Sequence, residues 1–282
     1  MNVEEAEEIV QGLWDLDVSA WNTHWVPIFR VFSQELVRKA QLHPGQLILD
    51  VGTGTGIAAF VAAKRIQRGF VIGIDRSYKM IVAARADVER YQCRNVFFIE
   101  MGGDRLLFPD KLFARVISNC GISIGTFPQT VKEISRAIRD DGILVLSDFH
   151  LIDVAPHRIF SEILRVYRTD NPSRRLRRRR EALATLESIG NRYTDSKEAI
   201  LQNAGFKRIT KQTEVFRITL PSTQDYLRMR FQRAALRQEL VELPPVGRRK
   251  LLKELRKRLA VHMHRGRFKF EWKVNFIFAA KW

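Results

Sequence analysis

The stretch Leu-Ile-Leu-Asp-Val-Gly-Thr-Gly-Thr-Gly at 47–56 constrains this chain more than any other part of it. A short apolar run ends in three glycines separated by threonines, and the apolar run IAAFVAAKRIQ follows directly. Such a run, bounded by turn residues, reads as a strand buried on both faces. Glycines at its end let the backbone turn tightly, approach a ligand and open a helix. A strand that feeds a helix in this way starts a β-α-β unit, whose right-handed crossover brings the next strand alongside.

The rhythm recurs downstream. FVIGID (70–75), NVFFIE (95–100), ARVISN (114–119) and GILVLSDF (142–149) read as strands, with helices over 78–91 and 129–139. Upstream, 4–13 and 26–40 carry helical periodicity around an aromatic group, Trp14, Trp21, Trp25 and Phe29. After His150 the alternation breaks: 153–189 reads as helical, and a helix over 194–204 is opened by Thr194 and closed by Gly205. Then come a strand over 206–220, basic helices over 221–265 interrupted at Leu243-Pro244-Pro245, and a closing strand over 268–282. The pattern predicts an α/β, Rossmann-like, seven-stranded and mostly parallel sheet with an antiparallel last strand. Helices cover both faces, and helical insertions form a substrate lid. The expected segments are an N-terminal helical cover (1–40), a ligand-binding core (41–152), a basic helical insertion (153–193), a core helix and strand six (194–220), a basic helical lid (221–266) and a closing strand (267–282).

Glycines after a strand serve several nucleotide ligands, so the flanking acids decide among them. Asp50 precedes the first glycine by two residues, where a carboxylate would repel a pyrophosphate but suit an ammonium or sulfonium. Asp75 ends the second strand, where it can accept hydrogen bonds from two ribose hydroxyls. S-adenosylmethionine carries both cations and a ribose and no phosphate. Each acid could instead cap a helix.

With LILDVGTGTG, VIGIDRSYKM, LLFPDKLFARVIS and ISRAIRDDGILVLSD together, residues 41–150 resemble the class I S-adenosylmethionine-dependent methyltransferases, in particular the small-molecule group that includes quinone-biosynthesis enzymes; LQNAGFKRI resembles the group's last helix and sixth strand more loosely. The resemblance implies that Gly52, Thr53 and Gly54, with Gly56 in the same loop, hold the methionine end. It places Asp75 on the ribose, Arg76 and Met80 against the adenine, and Asn119 and Gly121 towards the sulfonium. The Asp that such proteins place for the adenine amino group corresponds to Gly102 here, so either Asp104 or the backbone at Gly103 takes that contact. The resemblance also implies S-adenosyl-L-homocysteine as product and transfer to a small organic acceptor.

Displacement at a sulfonium needs alignment more than acid–base help, although an O–H or N–H acceptor profits from a base. His150, just past the fifth strand, is the first candidate, His24 the second, and His157 the weakest; His262 and His264 read as solvated. Each has an ordinary structural alternative as a hydrogen-bonded histidine. The tryptophans either staple the N-terminal helices to the sheet or cover the sulfonium. No His/Cys/Asp spacing suggests a metal, and Cys93 and Cys120 fit reduced thiols of a cytoplasmic protein.

The net charge of +17 is one-sided: residues 1–150 hold 17 Lys/Arg and 18 Asp/Glu, and 151–282 hold 31 and 13. Arg174–Arg180 and the basic amphipathic run from Arg248 to Leu259 supply much of this excess. The latter can lie on an anionic membrane, bind a partner groove or pack its leucines on the core. A small lipophilic or anionic acceptor fits best, with an anionic membrane surface or carrier as further partners. The alternatives are an RNA methyltransferase and a non-catalytic S-adenosylmethionine binder. The usual base-methylating motif is replaced by Asn119-Cys120-Gly121-Ile122, which argues against nucleic acid.

Overall fold

A computed structural model describes residues 1–66, 68–149, 154–193 and 197–282. Strands β1 (Leu47–Val51), β2 (Phe70–Asp75), β3 (Val96–Glu100), β4 (Phe113–Asn119) and β5 (Ile138–Asp148) pair in parallel. Strand β6 (Arg208–Leu220) and strand β8 (Arg267–Ala280) complete a sheet of order β3-β2-β1-β4-β5-β8-β6, and β8 runs antiparallel to both neighbours. The predicted seven strands are present. An eighth, β7 (Met263–His264), is a two-residue pairing on β8, too short to leave a periodic signal.

Alternate residues of each central strand enter opposite cores. Ile48, Ile117 and Val145 face one side with α2 (Val26–Lys39) and α3 (Ile57–Arg65). Leu49, Val116 and Leu144 face the other with α6 (Phe127–Ala137) and α9 (Lys197–Asn203). Burial on both faces explains why these strands are apolar throughout. Helix α4 (Tyr78–Ala86), capped by the Ser77 hydroxyl, and the single turn α5 (Val88–Tyr91) link β2 to β3.

The N-terminal region differs from expectation. In place of two helices separated by a loop, α1 (Val3–Ala20) continues through a π-helical turn, Trp21–Trp25, into α2. No Gly or Pro interrupts 13–26, so nothing ends the helix there; the Val26 amide reaches back five residues to the Trp21 carbonyl. Strand β5 also begins earlier than predicted, because Ile138 continues directly from α6. The helical stretch after 153 is two helices, α7 (Ala155–Tyr167) and α8 (Arg174–Tyr193), separated by a turn that contains Pro172. Thr194, the predicted opener of the next helix, lies outside the described residues.

Strand β5 meets β8 only from Asn275 to Ala280, whereas β6 follows β8 to Phe268. The remaining ribbon projects past the carboxyl ends of the parallel strands. Helices α7, α10 (Thr223–Phe231) and α12 (Pro245–Leu259) share a core with its Phe268, Phe270 and Trp272. In α12, Leu251, Leu255 and Leu259 are fully buried, and Arg249, Lys250, Lys253, Arg256, Lys257 and Arg258 face solvent. The leucine face therefore packs on the core rather than offering itself to a membrane or groove. Part of the arginine run in α8 is a brace. Arg178 pairs with Glu5 on α1; on α11 (Ala234–Glu242), Arg179 bonds Gln238 and Arg180 pairs with Glu239. Arg174, Arg175 and Arg177 are exposed. No helix among the described residues is long and apolar enough to cross a membrane.

Candidate cofactor site

Gly52, Gly54 and Gly56 all take left-handed backbone conformations, with φ of 67°, 55° and 87°, a region that costs other residues strain. Gly52 has a second reason to be glycine. A Cβ there would stand 2.1 Å from the Gly121 carbonyl oxygen, and one on Gly121 would stand 2.3 Å from that of Gly52. The loops after β1 and β4 thus touch backbone to backbone. Gly56 serves otherwise: its Cβ would meet Phe98 at 2.6 Å and Phe60 at 2.8 Å, so it packs α3 against β3. It is absent from the lining of the cavity above the loop.

Two carboxylates shape this loop from beneath and beside. Asp75 accepts the Gly54 amide at 2.8 Å on one oxygen and the Ser77 amide at 2.9 Å on the other, with lone pairs left for hydroxyl donors. Asp50 is fully buried; its Oδ2 accepts the Thr53 hydroxyl at 2.6 Å, and its Oδ1 has no hydrogen-bond partner among the described residues. Burial pushes its carboxyl up to about 7, partly offset by the Thr53 bond. A cation beside Oδ1 would restore its charge.

Above the loop lies a cavity of about 360 Å³, in the range of small-molecule sites. Gly52, Thr53, Gly54 and Asp75 border one side, with Met80, Arg76, Gly103, Asn119 and Gly121 further round. Gln11 and Trp14 of α1, Trp21 and Phe29 form the apolar roof. Trp14 and Trp21 meet edge to face, with ring centroids 5.4 Å apart, whereas Trp25 is buried in the core. The tryptophans therefore divide between the two predicted roles, two covering the cavity and one stapling the helices. Arg233 holds the roof from behind. Its guanidinium sits 4.0 Å over the Trp14 ring and donates to buried Asp17 at 2.7 Å. This is the link of 221–266 to the cavity; those residues brace the roof and are absent from its described lining.

Asn119 borders the cavity, but its amide is already engaged. Nδ2 donates to Ser33 Oγ at 2.8 Å, and Oδ1 accepts the Ser147 hydroxyl at 2.7 Å, anchoring α2 to the strand ends. Cys120, beside it, is pushed up by burial to about 12 and stays a neutral thiol. Asp104 turns outward to Arg76, 2.5 Å away, and lines a wider outer groove of about 780 Å³ with Glu4, Glu8 and Glu100. Of the two candidates for the adenine contact, Gly103 borders the inner cavity and Asp104 does not.

Among the histidines, His264 is exposed as expected. His150 lies outside the described residues. His24 points away from the cavity to Gln232 Oε1 at 2.9 Å, because its place in the π-helical turn puts it on the opposite side from Trp21. His157 is buried within an aromatic group, and His262 is half-buried against Phe268 rather than solvated. Gln11 and Glu7 escaped the sequence reading. Gln11 donates to the Arg76 carbonyl at 3.0 Å, and Glu7 accepts the Gly125 amide at 3.0 Å, so both tie α1 across the cavity mouth. Their only signal was a shared helical face with Val10 and Trp14. Among the described residues no group of three His, Cys, Asp or Glu is placed to hold a metal.

Comparison with known proteins converges on the same region. Residues 48–142 match the methyltransferase domain family. The chain is 34% identical over 119 residues to an arsenite methyltransferase of Halobacterium salinarum, covering 42% of this chain and 30% of that protein. It is 28% identical over 127 residues to a ubiquinone/menaquinone biosynthesis C-methyltransferase of Blochmanniella floridana, covering 44% and 50%. The chain thus spans half or less of the length of these two relatives. In fold it resembles the YcgJ protein of Bacillus subtilis, with a TM-score of 0.55, 16% identity, and 89% and 98% of the two chains covered.

Proposed function

We propose, from a chain whose residues 48–142 are a domain of the methyltransferase family, that this protein transfers a methyl group from S-adenosylmethionine to a small organic acceptor. The observation that carries this reading is the cavity itself. It joins the touching glycine loops, the buried Asp50, the half-buried Asp75 and an aromatic roof at the carboxyl ends of the parallel strands.

The residues present fit that cofactor. Gly52, Thr53 and Gly54 offer backbone to the methionine end. Asp50 has an unpartnered oxygen for an ammonium, acting through or beside the loop. Asp75 has spare lone pairs for the ribose hydroxyls, Met80 and Arg76 flank the adenine, and the Gly103 backbone reads its edge. When bound, the cofactor supplies a methyl group on a sulfonium, which is a good leaving group for in-line displacement.

The chain's own contribution is alignment and exclusion of water. Trp14, Trp21 and Phe29 supply aromatic rings, whose faces suit a cation and whose apolar bulk keeps water out. Asn119 and Gly121 fix the wall through backbone and neighbours. The acidic groove outside, in a protein of net charge +17, draws a cationic ligand towards the mouth. For an acceptor with a proton to lose, His150, two residues beyond β5, is the candidate base.

Calorimetry with S-adenosylhomocysteine and NADH, followed by labelled-methyl transfer to a panel of phenols, quinones, carboxylic acids and amines, tests the reading. Binding of the first ligand alone and labelling of one acceptor class are expected. Tight NADH binding without S-adenosylhomocysteine binding overturns it. Loss of the acid limb of the rate profile in His150→Ala would mark the base.

A further inference from the structure

Helix α1 lends one stripe to the cavity lining, Glu7, Val10, Gln11 and Trp14, spaced as neighbours on successive helical turns. Of the six acids on α1, Glu7 alone belongs to that described lining. It is 7% exposed. Its Oε1 accepts the Ser123 hydroxyl and, at 3.0 Å, the Gly125 amide, whereas no hydrogen bond among the described residues reaches Oε2. The fold makes room for this carboxylate, because a Cβ on Gly125 would stand 2.2 Å from Oε1. Oε2 therefore keeps its lone pairs for a donor brought by a ligand.

The lining beside Glu7 is apolar. Ile122 and Ile124 follow Gly121 on the loop after β4, next to the wall assigned above to the sulfonium, and Val10 and Leu186 of α8 complete this end. Val10 and Leu186 also pack in one cluster. A Cβ on Gly190 would meet Ile124 Cδ1 at 2.8 Å, so a glycine in α8 lets that helix close on the loop. None of these side chains is used by the cofactor contacts proposed above. Glu7 and Thr126 border the outer groove as well, so cavity and groove adjoin here.

The charges of the cavity disfavour an anion. Asp50, Asp75 and Glu7 all line it, and Arg76, the one cation of the described lining, is paired with Asp104 at 2.5 Å. A carboxylate or phosphate on the acceptor would meet Glu7 with no free cation to offset the repulsion. Resting on the function proposed above, we propose that this end is the acceptor's subsite and that Glu7 selects what enters it. The acceptor is an apolar molecule without an anionic group. It carries an O–H or N–H that donates to Glu7 Oε2, and its apolar part lies against Val10, Ile124 and Leu186. Of the lipophilic and anionic acceptors expected from the sequence, this keeps the first. A site built to bond a donor rejects molecules that lack one.

Calorimetric titration of the full-length protein with 4-ethylphenol, 4-ethylaniline and 4-ethylbenzoate, with and without S-adenosylhomocysteine, tests this. The phenol or the aniline is expected to bind at least roughly tenfold more tightly than the benzoate, and the tighter of the two identifies the donor. Glu7→Gln keeps an oxygen for Ser123 and Gly125 but places an amide donor at the other position. The preferred ligand should then bind more weakly and the benzoate more tightly. Leu186→Ala should weaken the preferred ligand several-fold, which keeps the subsite testable if Glu7→Gln does not fold. The proposal fails if the wild type binds none of the three, if it binds the benzoate as tightly as the others, or if Leu186→Ala binds as the wild type does. A Glu7→Gln protein that loses S-adenosylhomocysteine affinity but keeps the wild-type preference shows a structural tie only, and also overturns it. Binding of the phenol or aniline with the expected selectivity, in a protein that does not bind S-adenosylhomocysteine, would leave the subsite standing and remove the cofactor reading.

Discussion

Arg233 donates to Asp17 across 216 positions of sequence, joining the basic half of the chain to the acidic first helix directly behind Trp14. Asp17 is 1% exposed and also accepts the Ala234 amide at 2.5 Å, so both of its oxygens are held at this junction. Arg233→Met strands that carboxylate and is expected to cost about 2–4 kcal/mol of stability, read by urea unfolding. It also frees Trp14 and Trp21, so S-adenosylhomocysteine affinity should fall several-fold even though Arg233 lies outside the cavity lining. Unchanged affinity in a folded variant would show that the roof needs no brace.

Asp50 links pH to both stability and binding. Its folded-state value of about 7 lies above the ordinary 3.8, so the folded state holds a proton that the unfolded state has lost. The penalty is absent below about pH 4 and complete above about pH 7. By the difference in values it reaches as much as about 4 kcal/mol. Asp50→Asn should therefore gain stability relative to the wild type as pH rises from 5 to 8, measured by urea unfolding at both. The wild type's cofactor affinity should weaken as pH falls below 7, where Asp50 is protonated, and Asp50→Asn should lose that slope.

The approach of Gly52 to Gly121 leaves no room for a methyl group on either. Gly52→Ala and Gly121→Ala are each expected to lose at least about 2 kcal/mol through overpacking, with added backbone strain at Gly52. Both should lose measurable binding of S-adenosylhomocysteine. Gly56→Ala should be similarly destabilising but act through Phe98 and Phe60. Any cofactor binding that it retains would separate packing from ligand contact.

Asp75→Ala removes the acceptor for the Gly54 and Ser77 amides together with the ribose partner, and should weaken cofactor binding by about 1–3 kcal/mol. Asp75→Asn keeps one oxygen and should lose less. Calorimetry that ranks the two variants equally would mean that the carboxylate's charge, not its bonds to the loop, carries the effect.

The parallel sheet and the cofactor loop were legible because they rest on short-range rules: apolar runs, glycines after a strand and acids at strand ends. What escaped depends on contacts that no local pattern encodes. Gly52 and Gly56 look alike in sequence, yet one meets Gly121 and the other meets Phe98. His24 sits between Trp21 and Trp25 and invited a catalytic reading. One added residue in a helix turns its facing by roughly 100°, and in the π-helical turn His24 faces Gln232. Arginines 178–180 show in sequence only as part of a charged run, because their partners Glu5, Gln238 and Glu239 are remote. The segment 221–266 reads in sequence as a basic lid, and the contact of its Arg233 with Trp14 and Asp17 joins partners more than 200 positions apart.

The position of β8 has a consequence for how the molecule comes into being. It is synthesised after β5 and β6 but lies between them. Until it threads into place, β6 has no neighbour and β5 leaves its outer amides and carbonyls bare. Trp272 is likewise missing from the aromatic core. Between the emergence of β6 and that of β8 the sheet has a sticky edge, and the interval before closure is when self-association competes with folding. Slow refolding and dependence on chaperones are the expected marks of that interval.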